Sequence, residues 1–190
     1  LDMEPRYEDH PAFFNPQSGW RWTDAEVRQN LYWSLMEGAC GHSYGNHGVW
    51  CFNTEKSVDC PVTWQEGLER PGAKQVRHGR ALRLSRPYFE FRPAPGLCAE
   101  EPAANGHIAA GRGDGYAFVY TPLGLPVRVF AQQMGGGPLR TSWFDVRTGQ
   151  ETAFGVCLPQ ETLFVPPSSG HGQDWVLILD VIGNHKEEMA

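Results

Sequence analysis

The sequence predicts an α/β segment followed by a small antiparallel β-sandwich. Apolar residues recur at a helical period in the first half, whereas short apolar runs separated by turn signals fill the second half. The 190 residues include 22 glycines and 15 prolines, which is typical of a chain with many turns and unlike a helical bundle. We therefore expect an α/β part over residues 1–92, a linker over 93–105, a sandwich over 106–182 and a polar tail over 183–190.

Composition argues against several classes of protein. Hydrophobic residues make up 41% of the chain and aromatic residues 12%, which is too apolar for a disordered protein. The apolar runs, such as residues 176–179, are far shorter than the about 20 residues that span a membrane, so no membrane partner is expected. The net charge of −6 disfavours a nucleic-acid partner. The basic residues between Arg70 and Arg92 are better explained as a solvated helix face.

The clearest helix signal lies near the start of the chain. Thr23 and Glu26 have the spacing of a capping box, and acidic residues in the first turn complement the helix dipole. Gly38 is a natural C-terminal stop. The apolar face of this predicted helix, residues 24–38, is formed by Val27, Leu31 and Leu35, with Tyr32 and Met36 beside them.

Two weaker signals follow this helix. A glycine-rich stretch at residues 39–45 leads to the apolar residues 49–52, where we expect a short buried strand with a loop after it. A second helix is predicted from about Pro71 to Leu84, with basic side chains along one face.

Short apolar runs separated by turns dominate the chain after His107. Turn signals recur about every 8–12 residues, which is typical of an antiparallel sandwich with six or seven strands. The predicted strands are residues 115–120, 126–130, 139–144, 152–156, 162–165 and 175–181.

Five cysteines occur without any Cys-x-x-Cys motif, which excludes a zinc ribbon or a thioredoxin site. Cys51 and Cys60 bracket a short polar loop and would be able to form a disulfide in a secreted protein. The alternative is that the cysteines are small buried apolar side chains. The spacing of His42 and His47 supplies no complete set of metal ligands, so neither a metal nor a cofactor is predicted.

Three groups of residues are candidates for chemistry. The first is the acidic N-terminal stretch around Glu4, where Tyr7 and Glu8 follow closely; it is either a catalytic carboxylate site or a solvated terminus. The second combines flat, hydrogen-bonding side chains with glycines, and it suits either a sugar pocket or a polar turn with one packed tryptophan. Its members are His42, Tyr44, His47 and Trp50. The third, Asp145 with Arg147, is expected to pair and close a hairpin, which is a structural role.

Several motifs in a fixed order resemble the C-terminal part of apiosidase-like glycoside hydrolases. They are EPRYEDHP, VRQNLYWSLMEGACGHSYGNHGVW, PGAKQ, WFDVRTG and PPSSGHGQDWVLIL, and together they span about residues 3–181. In that family a (β/α)₈ barrel precedes a β-sandwich that carries a collagen-binding label. The resemblance implies that residues 1–8 and 40–46 are the last two barrel strands and that residues 71–85 are the last helix.

The resemblance also implies a function. Glu4 would be the nucleophile of a retaining glycoside hydrolase that acts on polysaccharide side chains outside the cytoplasm. The substrate-binding residues would be Tyr7, His42, Tyr44, His47 and Trp50. The acid/base carboxylate of such enzymes lies on barrel strand four, which this chain lacks. The rest of the barrel, in the same polypeptide or in another chain, is therefore an expected partner alongside the carbohydrate substrate. The alternatives are a binding module for carbohydrate or protein and an inactive relative with a structural role.

An incomplete barrel would leave apolar surface uncovered. We therefore expect the missing barrel or another subunit to cover Val27, Leu31, Leu35, Val49 and Trp50.

Overall fold

A computed structural model describes residues 1–99 and 106–183. Its first part carries four α-helices: α1 (Asp24–Met36), α2 (His47–Trp50), α3 (Trp64–Leu68) and α4 (Pro71–Leu84). Short 3₁₀ turns lie at Ala12–Phe14, Pro16–Ser18, Tyr88–Glu90, Pro95–Leu97 and Ala131–Met134. None of the helices in the described ranges has the length and apolar character needed to cross a membrane.

Helix α1 begins at the capping box that the sequence predicts. The Thr23 hydroxyl accepts from a backbone N–H of the first turn, and the Glu26 carboxylate accepts from the Thr23 N–H at 2.8 Å. The helix ends at Met36, and Gly38 follows with a φ of 96°, a conformation that favours glycine. Capping and the positive φ therefore explain both ends of this element.

Residues 1–8, called the first segment below, and residues 40–46 are predicted as neighbouring strands. The two run parallel, but they form isolated bridges rather than continuous strands. Asp2 pairs with His42, and Glu8 pairs with Asn46. The N–H of His47 donates to the carbonyl of Glu8 at 2.8 Å, which holds the start of α2 against the first segment. The ends of both segments are thereby held side by side.

The second part of the chain is antiparallel β-structure. Its strands are β1 (Arg92–Pro93), β2 (Ala109–Gly113), β3 (Tyr116–Thr121), β4 (Val127–Phe130), β5 (Leu139–Asp145), β6 (Gln150–Cys157), β7 (Glu161–Phe164) and β8 (Trp175–Val181). Six of them form one sheet in the order β1-β2-β3-β8-β5-β6, and β4 pairs with β7 in a separate two-stranded sheet. The fold is thus a mixed α/β structure with antiparallel sheets.

The central strands of the large sheet are buried on both faces. Phe118 and Tyr120 of β3 lie in one apolar cluster with Leu82 of α4, whereas Ala117 and Val119 lie in a second cluster. That second cluster includes the inward residues of β4 and β7. Because helices cover one face and the small sheet covers the other, every residue of β3 is buried and the strand shows no polar alternation.

The chain itself covers the apolar face of α1. Val27 is fully buried, and Leu31 and Leu35 pack in the cluster that contains Tyr120 and Val176 of the large sheet. The expectation that a missing barrel or another subunit covers these three helix residues is therefore wrong. The physical reason is that the β-rich part packs onto α1. The sequence of the α/β segment by itself does not indicate this long-range contact.

The prediction of a short buried strand at residues 49–52 is also wrong. Residues 47–50 form α2, whose N-terminus is capped by the Asn46 side chain, and Val49, Trp50 and Phe52 are exposed. Asn46 accepts from two backbone N–H groups of the turn, so local capping outweighs the strand preference of the apolar residues.

Part of the predicted linker packs onto the sheet. Pro93 belongs to β1, Leu97 is buried, and Cys98 forms a bridge with Val129 of β4. Residues 100–105 of that linker and residues 184–190 of the predicted tail lie outside the described residues.

Candidate active site

A cleft of about 340 Å³ opens beside the first segment, close to the point where it pairs with residues 42–46. The first segment, the turns that follow it, α1 and α2 all contribute to its walls. The lining residues are Glu4, Pro5, Arg6, Tyr7, His10, Phe13, Phe14, Trp22, Asn30 and Trp50. Three of the residues predicted from the sequence, Glu4, Tyr7 and Trp50, are therefore brought together in one cleft.

Glu4 is an exposed carboxylate on the wall of this cleft. Within residues 1–99 and 106–183 its side chain has no hydrogen-bond or ion-pair partner, so its oxygens face the open space. The neighbouring Arg6 is held in place, because its Nη1 donates to Gln29 Oε1 at 2.9 Å and its guanidinium lies 4.8 Å from the Trp22 ring centroid. The cleft thus combines a free carboxylate with a positioned cation.

Aromatic rings form the outer wall of the cleft. Phe13, Trp20 and Trp22 contact one another edge-on, with ring centroids 5.3–5.4 Å apart. Phe13 and Phe14 both adopt positive φ values, 54° and 58°, in a tight turn that leaves both rings exposed. Non-glycine residues seldom adopt this conformation, and such strain is concentrated at functional sites.

A row of rings connects the cleft to the interior. The His10 ring lies edge-on to Phe14 at 4.8 Å and to His47 at 4.7 Å, and His47 stacks at 6.0 Å on Trp50. Burial lowers the pKa of His47, and the nearby His10 and Arg21 act in the same direction. His47 therefore lies behind Trp50 as a neutral ring rather than in the cleft wall itself.

Glu8, only four residues beyond Glu4, has a different environment. It is 3% exposed, and the Tyr44 hydroxyl donates to its Oε2 at 2.7 Å. Burial raises the pKa of Glu8. A Cβ at Gly72 would lie 2.4 Å from Glu8 Oε2, so a glycine in the first turn of α4 allows this close approach. Tyr44 therefore hydrogen-bonds to Glu8 and not to Glu4.

Asp9 forms ionic and hydrogen-bond contacts that were not predicted from the sequence. Arg70 donates to both Asp9 oxygens at 2.8 Å, and Asn46 Nδ2 donates to Oδ2 at 2.8 Å. These bonds connect the first segment, the residue before α2 and the residue before α4. Only the position of Asp9 directly after Glu8 could have drawn attention to it in the sequence.

The other predicted sugar-binding residues line a second cavity of about 480 Å³, between α1 and α4. His42 and Tyr44 lie here with Cys40 and with arginines of α4. His42 Nδ1 is 3.1 Å from Asp2 Oδ2. Burial lowers the pKa of His42. The structure therefore does not bring His42 and Tyr44 to the cleft of Glu4.

A group of potential metal ligands lies behind the cleft. One ligand atom each of His47, Cys51 and Cys60 falls within 4.8 Å of the others. All five cysteines are unpaired in the structure.

Comparison with known families gives two consecutive matches. Residues 1–90 match the family "Apiosidase-like, catalytic domain", and residues 93–180 match "Putative collagen-binding domain of a collagenase". The chain resembles apiosidase-like glycoside hydrolases. This confirms the resemblance that the motifs indicate. No protein with a curated description matches the chain.

Two solved structures resemble this chain over most of its length. A glycoside hydrolase family 5 protein from Bacteroides vulgatus is 29% identical with a TM-score of 0.86, and the match covers 94% of this chain and 40% of that one. A second glycoside hydrolase is 27% identical, also with a TM-score of 0.86, and the match covers 94% of this chain and 41% of that one. The chain thus spans about two-fifths of the length of these two glycoside hydrolases.

Proposed function

We propose that this chain is the C-terminal part of a retaining glycoside hydrolase, with the last quarter of a (β/α)₈ barrel over residues 1–92 and a β-sandwich over residues 106–182. Glu4 is the nucleophile, and the substrate is a side chain of a polysaccharide outside the cytoplasm. The family matches and the two similar glycoside hydrolases support this proposal.

The observation that carries the proposal is the position of Glu4. Glu4 lies on the wall of an aromatic-lined cleft, two residues after the parallel bridge between Asp2 and His42. Active sites of barrel enzymes lie at the carboxyl ends of their parallel strands. Sugars have apolar ring faces and polar edges, so a cleft of exposed aromatic rings with a few polar groups suits them.

The reaction requires two carboxylates in different protonation states. Ionised Glu4 attacks the anomeric carbon, and the leaving oxygen takes a proton from a general acid. Water then attacks the glycosyl–enzyme ester, and the same acid, now a base, accepts the proton of that water. The two carboxyl groups of a retaining enzyme lie about 5–5.5 Å apart.

Glu8 is a poor candidate for the second carboxylate. It is buried, it accepts a hydrogen bond from Tyr44, and it is not among the residues that line the cleft. We propose that the acid/base comes from the rest of the barrel, either in a preceding segment or in another chain. Tyr7 and Trp50 contact the sugar, and His47 supports Trp50 from behind. His42 and Tyr44 act indirectly, by positioning the first segment.

One observation favours a second function for the β-rich part. Strand β6 lies at the edge of the large sheet and is exposed along nearly its whole length, with Phe154 and Val156 on its surface. Phe154 stacks on Trp143 at 5.9 Å. An exposed apolar edge of this kind suits a binding module for carbohydrate or protein.

Glu4→Gln tests the proposed function in a protein that joins this chain to the preceding part of an apiosidase-like catalytic domain. We expect glycoside turnover to fall by about 10³-fold or more, because the amide is not a nucleophile. Circular dichroism should stay unchanged, since Glu4 is exposed. Glu8→Gln is the matched control and should retain turnover in its folded fraction.

The reverse result, with Glu8→Gln inactive and Glu4→Gln active, would exclude Glu4 as the nucleophile. The 190-residue chain alone should show no hydrolysis, because it supplies only one of the two carboxylates. Turnover by the chain alone would refute the proposed division of the active site.

A further inference from the structure

Three side chains with metal-binding atoms converge at the junction of α2 and the loop that follows it. His47 is the first residue of α2 and Cys51 directly follows the helix, so the two lie one turn apart on the same side. His47 Nε2 and Cys51 Sγ are 4.0 Å apart. The loop after α2 then returns Cys60, and the three ligand atoms all lie within 4.8 Å of one another.

One nitrogen of this cluster has no partner among the described residues, whereas one thiol is hydrogen-bonded. His47 is 7% exposed, and its Nδ1 has no hydrogen-bond partner among the described residues. Cys60 is buried, and its thiol donates to the Val62 carbonyl at 3.3 Å. The ring nitrogen that faces the sulfur of Cys51 is Nε2, so His47 presents this atom to the centre of the cluster.

We propose that His47, Cys51 and Cys60 bind one Zn²⁺ ion. Two thiolates and a neutral imidazole are ligands that Zn²⁺ prefers, and they leave one tetrahedral position for a water molecule. Zn–S bonds of about 2.3 Å and Zn–N bonds of about 2.0 Å place tetrahedral ligand atoms roughly 3.5–3.8 Å apart. The observed group therefore needs to close by only about 1 Å. Binding releases the two thiol protons to solvent, and each sulfur donates an electron pair to the metal.

A Cys51–Cys60 disulfide is the competing use of these residues. It would account for the two sulfurs but would leave the buried His47 ring without a role. Zinc uses all three side chains, whose ligand atoms already lie within 4.8 Å of one another. The observations therefore favour the metal.

The ion would stabilise the wall of the candidate active site. It would join the loop that ends at Cys60 to α2, which carries Trp50. His47 lies between Trp50 and His10, both of which line the cleft. The metal thus has a structural role, and its presence is independent of the identity of the nucleophile.

The test is zinc binding by the reduced 190-residue chain under anaerobic conditions. We expect one Zn²⁺ per chain after removal of excess metal, and thiolate-to-metal charge-transfer absorption when Co²⁺ replaces Zn²⁺. Cys51→Ser should weaken binding by at least about 10-fold, because it removes one thiolate. Cys51 is exposed, so this variant should fold. Cys40→Ser removes another exposed cysteine outside the cluster and should leave the affinity unchanged.

Two results would overturn the proposal. One is equal affinity of the wild-type chain and Cys51→Ser, which would place any bound zinc elsewhere. The other is a Cys51–Cys60 disulfide, identified by peptide mapping of the chain before reduction, in a protein that takes up no Zn²⁺ after reduction. His47→Asn should also weaken zinc binding, whereas it should not affect a disulfide between Cys51 and Cys60.

Discussion

Arg28 and Asp174 form a buried ion pair that joins α1 to the start of strand β8. Arg28 Nη2 lies 2.8 Å from Asp174 Oδ1, and the two side chains are only 1% and 2% exposed. The Tyr120 hydroxyl donates to Asp174 Oδ2 at 3.1 Å. The pair thus connects residues 146 positions apart in the chain, and Asp24, one helical turn before Arg28, supplies a second carboxylate to the guanidinium.

Asp174→Asn should destabilise the fold strongly. It leaves the buried guanidinium of Arg28 without its main counter-charge, which costs about 3–5 kcal/mol in comparable buried pairs. Urea unfolding followed by tryptophan fluorescence measures this loss. Glu161→Gln breaks the exposed pair of Glu161 with Arg128, at 2.8 Å, and should cost at most about 1 kcal/mol. Equal losses of unfolding free energy in the two variants would show that the buried Arg28–Asp174 pair stabilises the fold no more than an exposed ion pair does.

Tyr32→Phe should stabilise the protein by about 1 kcal/mol. The Tyr32 hydroxyl is buried and has no hydrogen-bond partner within the described ranges, so its removal relieves an unsatisfied group. Tyr120, which stacks on Tyr32 at 5.1 Å, is the matched control, because its hydroxyl is bonded to Asp174. Tyr120→Phe should destabilise by a similar amount. Thermal unfolding of both variants gives the signs, and a loss of stability in Tyr32→Phe would contradict the prediction.

The free energy of unfolding should vary with pH in the acid range because of Asp145, at the turn after β5. Burial would raise the pKa of Asp145, but hydrogen bonds from the side chain and backbone of Arg147 outweigh it and lower the pKa below 3.8. The ionised carboxylate therefore stabilises the fold above pH 3.8, and this contribution is lost as the pH falls through the lowered pKa. Asp145→Asn should be less stable than wild type at neutral pH, and the difference should vanish in strong acid.

Denaturant unfolding at a series of pH values measures that difference. Asp114→Asn, at an exposed turn before β3, is the control and should shift stability little at any pH. A constant difference between wild type and Asp145→Asn across the acid range would contradict the assigned role of Asp145.

Gly79→Ala should destabilise the contact between α1 and α4, although alanine is the better helix former. A Cβ at this position would lie 2.9 Å from Leu31 Cδ2 and 3.4 Å from Leu35 Cδ1. Overpacking of this kind costs about 1–3 kcal/mol, against a gain of about 1 kcal/mol in helix propensity. Chemical unfolding should show a net loss near 1 kcal/mol. Gly96→Ala, which meets nothing within 4 Å, should be neutral, and a stabilised Gly79→Ala would show that Leu31 can move aside.

Features with a local physical cause could be predicted from the sequence. The capping box of Thr23 and Glu26, the helix end near Gly38 and the pairing of Asp145 with Arg147 are all present in the structure. Each depends on residues a few positions apart, so the chain carries the whole interaction within one short segment. The order of the motifs likewise identified the resemblance to apiosidase-like enzymes.

Tertiary structure alone decided which side chains meet. Glu4 and Glu8 look alike in sequence, yet one is exposed in a cleft and the other is buried against Tyr44 and the first turn of α4. Their difference arises from contacts with residues 36 and 64 positions away. Likewise α1 needs no outside partner for its apolar face, because the large sheet returns to cover it. Local spacing predicts which face of an element is apolar, but the free energy of burial depends on what the rest of the chain brings against that face.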